Sequence, residues 1–208
     1  TRSGSVTGVQ TCALPIWLLD EGGCDGVNLL GTTGEATSFS VGQRIGAMRA
    51  VAEAGLPMER FMVGTGAAAM EDAVALTKIA RELGFAGALL LPPFYYKGIK
   101  DEALEAYVGT IIERTCQGDF GLYLYHIPQF SGVPYPVPLV ARLAERFPGS
   151  LAGIKDSSGD LANAKALAEG IPSIAVFPGA ETMLAQSPQT KFVGCISATP
   201  VLDRKSVV

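Results

Sequence analysis

The sequence predicts an α/β protein built as a parallel-stranded (β/α)8 barrel of the TIM type, on three observations. From Leu18 onward, short apolar or β-branched runs bordered by Gly or Pro alternate with segments of helical period, the mark of repeated βα units. The runs are apolar almost throughout rather than alternating, as strands covered on both faces are. Several end in polar residues or glycine-bordered loops, where a barrel gathers its functional groups.

Strand candidates begin near Gly26 (GVNLL), Phe61 (FMVG), Ala88 (LLLP follows), Leu122 (LYLY), Leu151 (AGIK follows), Ile174 (AVF follows) and Val193 (GCIS follows), seven in all. Helices are expected between them. Ser40 to Ala54 opens on a capping box, Ser40 with Gln43, and carries Val41, Ile45, Met48 and Ala52 along one side. Glu71 to Leu83 turns Val74, Leu76, Ile79, Ala80 and Leu83 toward a sheet and stops at Gly84. Asp101 to Thr115 does the same with Leu104, Tyr107, Val108, Ile111 and Ile112. Pro138 to Phe147 starts on a proline, where a first turn needs no N–H. Leu161 to Glu169 and Thr182 to Gln186 are shorter. Residues 1–16 read as an atypical amino-terminal segment with weak alternation between Ser5 and Leu14, and residues 17–208 as one barrel domain. Eleven residues follow Ser197, so the barrel is expected to be incomplete at both ends, its first strand replaced or missing and its last helices absent. A doubly wound open sheet is the structural alternative, but no GxGxxG follows the first strand candidate.

Composition narrows the function. The 208 residues are 48% apolar, enough for a sizeable core, and the formal charge is -4 with no Lys/Arg run, which argues against a nucleic-acid or anionic-membrane surface. No apolar stretch is long enough to span a bilayer, and Cys12 to Leu19, followed by Asp20 and Glu21, does not read as a signal peptide. The four cysteines are scattered without a CxxC pair, which fits a reducing cytoplasm. His126 is the sole histidine, so a metal site of the several-histidine type is not expected, and no cofactor motif is present.

The strand candidate Leu151-Ala152-Gly153-Ile154-Lys155 ends abruptly in a lysine, followed by the turn Asp156-Ser157-Ser158-Gly159-Asp160. An ammonium at the apolar mouth of a barrel is partly desolvated, which favours the free amine, the nucleophile of Schiff-base chemistry. The plain alternative is a rim lysine paired with Asp156 or another carboxylate. The loop Gly31-Thr32-Thr33-Gly34-Glu35 offers backbone N–H groups and two hydroxyls to a carboxylate, or is simply a glycine-permitted turn. Phe94, Tyr95 and Tyr96 form an aromatic cluster suited to packing or an interface, and Tyr125 at a strand end is either a proton carrier or a core tyrosine. His126 reads as structural or as a support behind the site.

Taken together, Gly31-Thr32-Thr33-Gly34-Glu35, Pro93-Phe94-Tyr95-Tyr96, Tyr125-His126-Ile127-Pro128, Gly153-Ile154-Lys155, Gly179 and Gly194-Cys195-Ile196-Ser197 resemble, in order and spacing from about Leu18 to Pro200, the dihydrodipicolinate synthase / N-acetylneuraminate lyase family. The resemblance implies a cofactor-free, metal-independent class I aldolase or lyase on a TIM barrel, joining or cleaving a bond between C3 of pyruvate and an aldehyde. It implies that Lys155 forms the imine with pyruvate, that Tyr125 shuttles protons with Thr33 as its relay, and that Tyr95, or Tyr96, completes the relay across a subunit interface. It further implies that Thr32 and Thr33 hold the pyruvate carboxylate, that Gly179 and Ile196 line the pocket, that Glu181 faces the second substrate, and that the protein is a homo-oligomer, a dimer or tetramer. Where the synthases carry an arginine for the carboxylate of aspartate semialdehyde, this sequence has Phe130. An apolar ring cannot make a bidentate pair, so a less acidic or sugar-like aldehyde is favoured over the lysine-biosynthesis substrate. The competing expectations are an inactive truncated barrel and, ranked last, a phosphate-sugar aldolase, since Pro178-Gly179-Ala180 is a poor phosphate nest.

Overall fold

The computed structural model of the protein describes residues 24–197. Its centre is a six-stranded parallel sheet: β1 (Val27–Leu29), β2 (Phe61–Gly64), β3 (Gly87–Leu90), β4 (Gly121–His126), β5 (Leu151–Asp156) and β6 (Ala175–Pro178). Each strand pairs with the next in sequence, from β1 beside β2 to β5 beside β6. A doubly wound sheet reverses its strand order partway. This one does not, so the structure takes the barrel reading over its alternative.

The helices are α1 (Val41–Glu53), α2 (Met70–Glu82), α3 (Asp101–Thr115), the single turn α4 (Pro128–Ser131), α5 (Val137–Arg146), α6 (Leu161–Gly170) and α7 (Glu181–Gln186). The Ser40–Gln43 capping box forms as expected, with Gln43 N donating to Ser40 Oγ and Ser40 N donating to Gln43 Oε1. The turn α4 has no sequence period to betray it. It is set by Pro128 at its start and by Gly132 (φ 65°) at its end.

Two apolar layers follow from the period-2 alternation of the strands. Val63, Ala88, Leu90, Leu122, Leu124, Ile154 and Val176 face the helices and form the main core with residues such as Leu76, Leu104, Ile111 and Leu143. The opposite face carries a separate cluster of Leu89, Tyr125 and Ile127, with Leu91 and Tyr123 packed against it. That second face is the barrel interior, and Lys155 lies on it beside Tyr125.

One expectation changes at the carboxyl end of the sheet. Residues 191–197 do not form a seventh strand, although Val193 N donates to Val176 O (3.2 Å) and Ile196 N to Pro178 O (3.1 Å), so the segment follows β6 without a regular ladder. The atypical segment 1–16, with its weak alternation between Ser5 and Leu14, lies outside the described residues.

The buried stripe of α1 also differs: Arg44, Met48 and Val51 are buried, and Val41 and Ile45 only partly. Residues 44, 48 and 51 share helical spacing as well as 41, 45, 48 and 52 do, and a charged residue such as Arg44 does not register in an apolar stripe. Buried Arg44 donates from Nη1 to Gly66 O (3.0 Å) and from Nη2 to Gly64 O (2.8 Å), taking up carbonyls at the carboxyl end of β2. Burial lowers its pKa, against which the Asp72 carboxylate acts.

Candidate active site

The carboxyl ends of β1, β4 and β5 bring Thr32, Tyr125 and Lys155 together. Tyr125 and Lys155 are register partners on adjacent strands, and Lys155 Nζ lies 4.4 Å from the centroid of the Tyr125 ring, within cation–π range. The Tyr125 hydroxyl is 3.1 Å from Thr32 Oγ1. The hydroxyl that meets Tyr125 is therefore that of Thr32, and the relay expected of Thr33 is not formed by Thr33. The reason is local. Leu30 takes a left-handed backbone (φ 54°) at the end of β1, so the chain turns sharply there and Thr32 is the residue that swings over the barrel mouth.

Lys155 is half-buried, and its pairing with Asp156 does not occur. Asp156 is fully buried on the helix side of β5, where Oδ1 accepts from Ser158 N (2.9 Å) and Oδ2 from Asn163 Nδ2 (2.7 Å). Alternation along a strand sends consecutive side chains to opposite faces, which separates the amine from the carboxylate that follows it.

A cavity of about 230 Å³ opens beside these residues, lined by Thr32, Tyr125, Arg44, Phe94, Phe130 and Ser131 among others. Lys155, Gly179, Glu181 and Ile196 are not part of its lining. Gly179 packs instead against Ser157, and its N–H donates to Asp156 O (2.7 Å). Glu181 begins α7 and accepts from Ser197 Oγ (2.7 Å). Cys195, whose thiol is pushed up to about 11 by burial and by Glu181, also feels the Lys155 charge, which acts the other way. Tyr95 and Tyr96 are exposed (72% and 76%) and meet edge to face at 5.0 Å, away from Tyr125 within this chain. Lys97 Nζ donates to Phe94 O and Ser131 O, bracing the loop that carries the two tyrosines against α4.

His126 faces the helices, next to Tyr125. Its Nδ1 accepts from Tyr135 N (3.0 Å), which leaves the proton on Nε2 in the neutral ring. Burial lowers its pKa from the usual 6.5, with Asp156 and Asp160 acting in the opposite direction. Its stabilising contribution is then fully present above the unfolded value and is lost as pH falls through the lower folded value. The urea midpoint is expected to drop between pH 7 and pH 5, and less so in His126→Gln, whose amide oxygen can still accept from Tyr135; an equal drop in both would assign the loss elsewhere.

The family model described as Dihydrodipicolinate synthetase family matches residues 9–203. An uncharacterized DapA-like lyase of Chloroflexus aurantiacus is 34% identical over 180 residues, covering 86% of this chain and 60% of the relative. The crystal structure of dihydrodipicolinate synthase from Agrobacterium tumefaciens superimposes with a TM-score of 0.90 at 30% identity, over 97% of this chain and 70% of that one. The chloride-inhibited dihydrodipicolinate synthase from Acinetobacter baumannii, complexed with pyruvate, gives 0.83 at 31% identity over 97% and 67%. The chain spans about 60% of the length of the curated relatives it matches. With its consecutive parallel strands and a lysine and tyrosine side by side at the barrel mouth, the chain belongs to the dihydrodipicolinate synthetase family.

Proposed function

We propose that the protein is a Schiff-base-forming, pyruvate-dependent aldolase or lyase, and the observation that carries this reading is the Lys155 side-chain nitrogen held over the ring of Tyr125, whose hydroxyl meets Thr32. The Lys155 amine adds to C2 of pyruvate and water leaves, giving an imine. Loss of a C3 proton to a base then gives the enamine, its electrons having been drawn toward nitrogen. The enamine carbon attacks an aldehyde carbonyl, the new alkoxide takes a proton, and water releases the 2-oxo acid product; cleavage runs the same steps backward. Tyr125, on hydrogen-bond terms with Thr32, carries the proton out of and into this pocket. The pyruvate complex of the Acinetobacter baumannii relative supports pyruvate as the first substrate. Thr32 and Thr33, in the loop after β1, are the groups we assign to its carboxylate, and Glu181, with Gly179 and Ile196 beside it, is assigned to the aldehyde.

Phe130, 72% exposed at the cavity, supports an acceptor without a carboxylate at that end. The buried Arg44 does not replace an arginine there, since both its terminal nitrogens are committed to backbone carbonyls. The exposed Tyr95, Tyr96 and Phe130 support a homo-oligomer, dimer or tetramer, in which one of the two tyrosines reaches a partner's Tyr125. The scattered cysteines support a cytoplasmic protein.

The test is exchange of the pyruvate methyl protons in D2O, followed by proton NMR. Enamine formation predicts protein-dependent conversion of CH3 to CH2D and beyond without any aldehyde present; a methyl signal that stays intact beside folded protein would overturn the reading.

A further inference from the structure

The residue that immediately follows Lys155 is a fully buried carboxylate with no cation bonded to it among the described residues. Burying a polar group is costly unless its atoms are hydrogen-bonded, and packing alone would be served better by an apolar side chain. Its two oxygens are instead spent on geometry. Oδ1 takes the N–H of Ser158 and Oδ2 takes the side-chain amide of Asn163, in the first turn of α6. That turn is fixed in its own right, because Asp160 Oδ1 accepts from both Ala162 N and Asn163 N, and Asp160 N donates to Ser158 Oγ. The backbone at the same place is tied to both neighbouring strands: Ser157 N donates to His126 O (2.8 Å) and Gly179 N to Asp156 O (2.7 Å). Among the described residues no hydrogen bond or ion pair holds the Lys155 amine, which rests over the Tyr125 ring, so its position depends on the peptide that carries it.

We propose that Asp156 is a positioning residue for Lys155: by joining Ser158 and Asn163 it clamps the end of β5 to the start of α6 and so keeps the lysine amine over Tyr125. The proposal rests on Lys155 as the imine-forming residue, and it assigns to Asp156 a geometric task rather than a charge.

Exchanging the two polar ends tests this. In Asp156→Asn an amide faces the Asn163 amide, and in Asn163→Asp a carboxylate faces the Asp156 carboxylate. The double exchange, Asp156→Asn with Asn163→Asp, restores donor to acceptor while moving the charge to the helix. Two rates are read by peptide mass spectrometry: capture of pyruvate on Lys155 in the presence of borohydride, and labelling of Lys155 by trace acetic anhydride relative to exposed Lys78. The second needs no pyruvate.

Each single exchange is expected to slow capture at least about tenfold, as a displaced reacting group does, and to change the labelling ratio, with the double exchange returning both to within about threefold of the native chain. Asn163→Ala, which removes one arm of the clamp from a half-buried helix position, is expected to give a smaller loss in the same direction and serves if a single exchange does not fold. Single exchanges that capture and label at the native rate, or a double exchange as slow as the singles, would overturn the clamp. A native chain that labels normally but never captures pyruvate would overturn the imine reading instead, while the labelling ratios of the variants would still decide the clamp.

Discussion

Lys155→Ala is expected to abolish pyruvate-dependent methyl exchange and aldol turnover, with a loss of at least about 10³-fold, because a covalent nucleophile has no substitute within the site. The fold should survive. Lys155 is half-buried, its carboxylate neighbour is bonded elsewhere, and the strand it sits on is held by β4, β6 and Asn163, so the free energy of unfolding measured in urea should change by no more than about 1 kcal/mol. Lys78, exposed on α2, can be replaced by alanine as the control without loss of exchange. Exchange that persists in folded Lys155→Ala, or that falls equally in Lys78→Ala, would remove the lysine from its assigned part.

The second large effect is structural and concerns the loop that carries Thr32. At Gly64, the last residue of β2, an added Cβ would lie 2.0 Å from Leu30 O and 2.9 Å from Leu30 C, both backbone atoms. Leu30 is in left-handed conformation, a strain of about 1–2 kcal/mol for a non-glycine residue. Gly64→Ala cannot be absorbed by a side-chain rotation, and the same peptide's carbonyl also receives Arg44 Nη2, so the β1–β2 contact must open. A loss of about 3 kcal/mol or more in urea unfolding is expected, within the range of severe core clashes, together with slower methyl exchange as Thr32 leaves Tyr125. Gly42→Ala, at a helical position where a Cβ meets nothing within 4 Å, should instead be neutral or slightly stabilising. Equal midpoints for the two variants would contradict the close approach of Leu30 and Gly64.

The parts of this architecture that depend on period were legible in the sequence. The six strands, the helix α3 over Asp101–Thr115 and the capping box at Ser40 all follow from local pattern and local chemistry. Lys155 and Tyr125 were legible because each stands where an apolar run stops. What stayed hidden depends on contacts between distant segments. Whether Thr32 or Thr33 reaches Tyr125 is decided by the backbone at Leu30, and no side-chain pattern encodes a left-handed leucine. Arg44 was hidden for a related reason, since its partners are carbonyls of Gly64 and Gly66, and carbonyls leave no trace in residue identity. Asp156 looked like a partner for Lys155 by adjacency, yet strand alternation places them on opposite faces. The glycine of the β5 motif is legible only afterwards: a Cβ on Gly153 would strike Ala175 O at 2.5 Å and the Tyr123 ring at 2.7 Å, so the position beside Tyr123 must be bare.

The most direct measurement is reductive trapping. The purified chain is incubated with pyruvate, reduced with borohydride, digested, and mapped by mass spectrometry. The account predicts an N-(1-carboxyethyl) group on Lys155, with the other lysines unmodified at the same pyruvate concentration. A folded chain that carries no such group, or carries it evenly over its lysines, would contradict it.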